Sequence, residues 1–98
     1  MLRPYDPFAI IDVKNESGKE IQRLEIKHHN GMVEITGLRA GDTTRLAFYV
    51  PGETSYSISA SFPDGTIATG GVGYIQSGYH GTDTVFSNMI ESKYGSAD

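Results

Sequence analysis

The chain predicts an all-β fold: a single-domain antiparallel β-sandwich of about seven strands, Ig-like or closed into a small barrel. Three observations carry this. In Glu53–Phe62, Tyr56, Ile58, Ala60 and Phe62 alternate with Ser55, Ser57, Ser59 and Ser61, the period of a strand with one dry and one wet face. Short stretches of similar kind recur at roughly ten-residue spacing, separated by Gly, Pro, Asn and Asp. No segment shows a convincing helical period. Ninety-eight residues support one hydrophobic core, not two.

Residues 1–7, with Pro4 and Pro7, read as an extended lead-in. Phe8–Asn15 is the first strand, with Ala9, Ile11 and Val13 on one face and Phe8 and Ile10 on the other, as for a strand covered on both sides. Asn15–Gly18 is a turn. Ile21–His28 is the second strand. Leu24, Ile26 and His28 share a face and Ile21 is out of phase, which predicts a bulge near Gln22 or Arg23. Asn30-Gly31 predicts a type I′ hairpin leading into a third strand, Met32–Thr36. After the turn at 38–42, Thr44, Leu46, Phe48 and Val50 give the dry face of a fourth strand. Pro51-Gly52 fits a type II turn. The serine-alternating fifth strand ends at Pro63-Asp64-Gly65. Thr66–Gln76 is one strand broken at Gly70-Gly71 or two short ones, the glycine pair signalling a bulge or a close backbone approach. Thr82–Ile90 is the last strand, of ambiguous parity, and residues 92–98 are expected to fray.

Charge is unevenly spread along the chain. The net charge is −4, residues 1–45 hold seven acidic and seven basic side chains, and no Lys or Arg occurs from Leu46 to Ser92. Glu53, Asp64, Asp83 and Glu91 all fall in that stretch, which predicts an acidic surface that favours a basic partner and opposes nucleic acid and anionic membrane. The absence of cysteine excludes disulfides, thiolate metal sites and a cysteine nucleophile. No apolar run approaches the ~20 residues of a membrane-spanning helix, and the first ten residues lack a signal-peptide core. The expectation is a cytoplasmic protein, or a periplasmic one if a signal has been removed.

Catalytic and cofactor motifs are not apparent. His28 and His29 point to opposite faces of a strand, and His80 with Asp83 matches no metal-ligand spacing, so neither metal nor cofactor is expected. Gly70-Gly71-Val72-Gly73 lacks the Gly-Lys-Ser/Thr ending of a phosphate loop. The serines form no Gly-x-Ser-x-Gly elbow. A non-enzymatic role is therefore expected. The tyrosines, Tyr49, Tyr56, Tyr74, Tyr79 and Tyr94, raise the question of stacking. Tyr56 is in phase with the core, whereas Tyr74 and Tyr79 lie in the acidic stretch without the cations that single-stranded nucleic acid needs. Tyrosine beside carboxylates suits a protein interface.

The segments VKNESGKEI (13–21), LRAGDTTRL (38–46) and Asp64-Gly65 followed by GGVGYIQSGY (70–79) resemble small bacterial β-sandwich immunity proteins, which neutralise a cognate interbacterial toxin. The likeness spans Ile11 to Tyr79 and rests on turns and strand alternation. It implies a non-catalytic inhibitor, monomeric when free, that occludes the active site of a basic toxin nuclease. The residues expected to meet that partner are Glu53, Asp64, Tyr74, Tyr79, His80, Asp83 and Glu91. Two other roles remain open at this point: an exported carbohydrate-binding module, and a structural β-domain that assembles through an edge strand.

Overall fold

Each strand of this chain has one apolar face to bury, and the protein buries them by stacking two sheets. The computed structural model describes residues 7–29 and 31–97. Its strands are β1 (Phe8–Asn15), β2 (Ile21–His28), β3 (Gly31–Leu38), β4 (Thr43–Tyr49), β5 (Glu53–Ser61), β6 (Ile67–Gln76), β7 (His80–Val85) and β8 (Ile90–Tyr94). The first sheet has the order β4-β1-β7-β8 and the second β3-β2-β5-β6. All pairs are antiparallel except β1 with β7, which run parallel because both start at the same end of the sandwich. That end, where β1 and β7 start and β2 and β4 finish, is called the upper end below; the lower end holds the turns at 15–20, 39–42, 62–66 and 86–89.

The core lies between the sheets and follows the alternation read from the sequence. Ala9, Ile11 and Val13 of β1, Leu24 and Ile26 of β2, and Ile58 and Ala60 of β5 are buried, with Phe62 just beyond β5. Each fully buried Ile or Phe contributes about 1.5–3 kcal/mol of hydrophobic stabilisation. The out-of-phase Ile21 is also fully buried. Its partner is Leu38, and the Ile21↔Leu38 and Arg23↔Thr36 pairs keep one register. Gly37, between them on β3, has φ 74°. The irregularity expected on β2 therefore sits on its neighbour, where glycine tolerates a left-handed backbone and Leu38 turns into the core.

Three expectations are corrected. Thr82–Ile90 is not one strand: Phe86 N–H donates to Met89 O at 2.8 Å, closing a hairpin between β7 and β8. This explains the ambiguous parity and brings the count to eight. Of the tail expected to fray, residues 92–97 are tied in: Ser92–Tyr94 belong to β8 and Ala97 N–H donates to Asp12 Oδ2 at 3.0 Å, while Asp98 lies outside the described residues. Gly52 lacks the positive φ of a type II turn. Gly31 opens β3, opposite His28, and Asn30, like residues 1–6 of the lead-in, lies outside the described residues. Gly70 and Gly71 do mark close approaches: a Cβ on Gly70 would lie 2.9 Å from Ile90 Cβ, and one on Gly71 2.6 Å from Tyr56 O. The bulge falls further on, where β5 advances from Thr54 to Tyr56 while β6 passes from Ile75 to Val72. The extra residue is in Gly73-Tyr74 and tips Tyr74 outward.

Candidate functional site

Most of the described aromatic rings are gathered at one end, Phe62 and Phe86 in the lower turns being exceptions. Tyr56 near the start of β5, Tyr74 late in β6, Tyr79 just before β7 and Tyr94 at the end of β8 all reach the upper end, as do Phe8, Tyr49 and the three histidines. Tyr79 and Tyr94 meet edge to face at 5.7 Å, Phe8 and Tyr49 at 6.2 Å, and His28 stacks on Phe48 at 4.4 Å. Partial burial and the neighbouring His29 lower the His28 pKa, which favours the neutral ring.

Tyr74, Tyr79 and Tyr94 surround a hollow of about 450 Å³ whose other walls are Ile75–Gly78. Tyr74 is 56% exposed and Tyr94 83%. At the rim, Tyr74 donates its hydroxyl to Glu53 Oε2 at 3.0 Å, and that bond raises the Tyr74 pKa. Gly81 leaves room for the Tyr79 ring, since a Cβ there would lie 2.6 Å from Tyr79 Cε2.

Beneath the hollow is a buried carboxylate. Asp83 has no exposed surface, and Tyr56 donates to its two oxygens at 3.1 and 3.0 Å. Burial raises the Asp83 pKa, only partly offset by Ser92 and Tyr56 beside it. Burial and the Asp83 charge push the Tyr56 and Tyr79 hydroxyls upward too. Ser92 Oγ is buried next to the pair without a partner at hydrogen-bond geometry.

A second carboxylate, Asp12, lies one strand away on the opposite face of the first sheet. Arg45 donates to it from Nε at 2.6 Å and from a terminal nitrogen at 3.1 Å, His80 Nε2 lies 2.9 Å away, and Ala97 N–H completes the set. Asp12 is 2% exposed, yet these donors, Arg45 first, hold its pKa well below the ordinary carboxylate range.

The seven residues expected to meet a partner are thus divided. Glu53, Tyr74 and Tyr79 come together at the hollow. Asp83 lies under it and presents no carboxylate outward, because its parity on β7 is that of the buried Gly81 and Val85. His80 is next to Tyr79 in sequence but is held by Asp12 on the outer face of the first sheet. Asp64 is at the lower end, in an ion pair with Lys19 at 3.1 Å and bonded to Thr66, which with Lys19 brings its pKa down to about 2. Glu91 stands opposite Thr84 on the outer face, 3.7 Å from Lys93, beside a shallow hollow that Lys14 also lines. The lysine-free stretch is therefore not an acidic face, because a sandwich interleaves its strands and brings Lys14 and Lys19 alongside it. Tyr94 belongs to the site and was missed. It follows the hairpin at Phe86–Met89, and the pair Val85 and Ile90 flanking four polar or exposed positions was the available signal.

No family model matches the chain, and neither does any curated protein. Among solved structures, the protein resembles the NMR structure of a protein from Eubacterium rectale, with a TM-score of 0.70, 10% identity and full coverage of both chains. At that identity the likeness speaks for the fold alone. No helix among the described residues is long and apolar enough to cross a membrane.

Proposed function

We propose that this is a non-catalytic binding protein that grips a partner protein with its upper end, acting as an inhibitor of a basic toxin nuclease or of a comparably basic enzyme. The observation that carries the reading is the hollow ringed by Tyr74, Tyr79 and Tyr94 with Glu53 fixed at its rim. Exposed tyrosines around a concavity suit a protein interface, since they are rigid, amphipathic and costly to truncate there. Phe8, Met32 and Tyr49, each more than 40% exposed, extend the apolar area at the same end. Glu53 supplies one acceptor for a partner Lys or Arg. With Asp64, Asp83 and Glu91 elsewhere, the interface relies on rings more than on charge, and its salt dependence is that of about one exposed ion pair.

The test is calorimetric titration against the product of the adjacent upstream gene, at low and high salt, with that product's nuclease activity followed in parallel. Binding that abolishes the activity, weakens only a few-fold in high salt and drops at least tenfold for Tyr94→Ala supports the reading. No binding at either salt, or binding indifferent to Tyr94→Ala and Tyr74→Ala, overturns it.

A further inference from the structure

A second hollow, larger than the tyrosine site, lies elsewhere on the described surface. It is an open trough of about 540 Å³ on the outer face of the second sheet, lined by Lys27 and His28 of β2, His29 just after it, Thr54–Ser57 of β5 and Gly70–Gly73 of β6. The register explains its shape: Lys27 pairs with Ser57, and Ser57 with Gly71, so one tall cationic wall faces a low floor of hydroxyls and bare backbone. Gly71 has to be glycine, because a Cβ would collide with Tyr56 O. The floor is thus low for a backbone reason, while the wall above it carries charge.

The local electrostatics differ from those of the chain as a whole. On the same strand, Arg23 is occupied by both Glu25 and Glu34. Glu53, just beyond the trough, is engaged by Tyr74. Among the described residues, Lys27 has no ion-pair partner, and His29 stands exposed beside it. A protein of net charge −4 therefore keeps one unneutralised ammonium over a hydroxyl-lined trough. One lysine without arginine is a poor reader of nucleic-acid backbone or of a phosphopeptide, which need several cations or a guanidinium fork. The serine and threonine hydroxyls match the hydroxyls of a sugar, and the lysine matches a single acidic substituent on it.

We propose that this trough binds an anionic saccharide, its ring on Ser55, Ser57 and the Gly71–Gly73 backbone and its carboxylate or sulfate on Lys27. The site is separate from the tyrosine hollow, and the bulge at Gly73-Tyr74 stands between the two. Failure here leaves the partner-protein reading intact, and the converse also holds.

The experiment is an amide NMR titration of the protein with three probes: a sulfated uronate disaccharide, its desulfated and carboxyl-reduced counterpart, and inorganic sulfate. The expected result is saturable shifts at Lys27, Ser55, Ser57 and Gly71–Gly73 with the acidic disaccharide, and weaker binding of the neutral one. Lys27→Gln lowers affinity for the acidic sugar by about fivefold, the upper range for an exposed ion pair, and Arg39→Gln, away from the trough, does not. Absence of saturable shifts, indifference to Lys27→Gln, or inorganic sulfate binding as well as the disaccharide would each overturn the proposal.

Discussion

At the lower end of the sandwich Asn15 has no exposed surface, and Asp83, midway along β7 opposite Val13, has none either. The two side chains are nearly the same size, and their surroundings are opposite in kind. Asn15 Nδ2 donates to Lys19 O at 2.8 Å and to Leu38 O at 3.0 Å, while Oδ1 accepts from Ser17 N–H and Oγ–H. Every hydrogen-bonding position of its amide is matched, without a charge. Asp83 accepts the one hydroxyl of Tyr56 on its two oxygens and has the Ser92 hydroxyl beside it. A neutral, satisfied hub organises turns and needs nothing from outside. An ionisable, under-served one leaves the rings above it resting on a group whose charge is poorly supported. The satisfied Asn15 hub ties the turns of the lower end, and the exposed rings stand at the upper end.

The largest expected effect separates the ends by stability. Asn15→Ala removes the donors to two carbonyls and the acceptor for Ser17, and should cost about 2–4 kcal/mol. The urea midpoint should fall with the slope unchanged, while partner affinity at the upper end stays as it was. Tyr94→Ala combined with Tyr74→Ala should do the reverse, lowering affinity more than tenfold in calorimetry and leaving the urea midpoint in place, since both rings are mostly in water.

Next comes pH. The folded pKa of Asp83 is raised, so its contribution to stability is present below the unfolded carboxylate pKa and is lost as pH rises through the folded value. Asp12, held low by Arg45, acts in the opposite sense, its contribution being lost as pH falls. Asp83→Asn should therefore remove only the first dependence. Subtracting its pH–stability profile from that of the parent should give a difference that grows in the variant's favour with rising pH. A flat difference would mean that Asp83 is as well supported as Asn15. The smallest effect belongs to the exposed Lys19–Asp64 pair: Lys19→Met should leave both the urea midpoint and the affinity unchanged within error.

Much of the fold was legible because one face of each strand is dry. The serine alternation placed β5 and its buried face without ambiguity, and Ile21's odd phase announced an irregularity. Its location was not legible, because it lies in the φ of Gly37 on the paired strand, and pairing is a tertiary fact. The β7–β8 hairpin was hidden for a similar reason. Phe86 and Met89 are apolar but exposed turn residues, and they blurred the alternation that ends at Val85 and resumes at Ile90. Tyr74, Tyr79 and Glu53, which come together at the hollow, were singled out by residue type. The acidic face was misjudged, because linear segregation of charge does not survive a sandwich that sets β7 beside β1 and β5 beside β2. Asp83 shows the limit most clearly, since only its parity on β7, unreadable until the hairpin is known, turns it inward.

The most direct test of the upper end as the binding end is amide hydrogen exchange of the protein alone and with the product of the adjacent upstream gene. The account predicts slowed exchange at Glu53, across residues 73–79 and at Tyr94, with rates at Asn15–Lys19 unchanged. Protection confined to the Asn15–Lys19 turn, or no change anywhere, would contradict it.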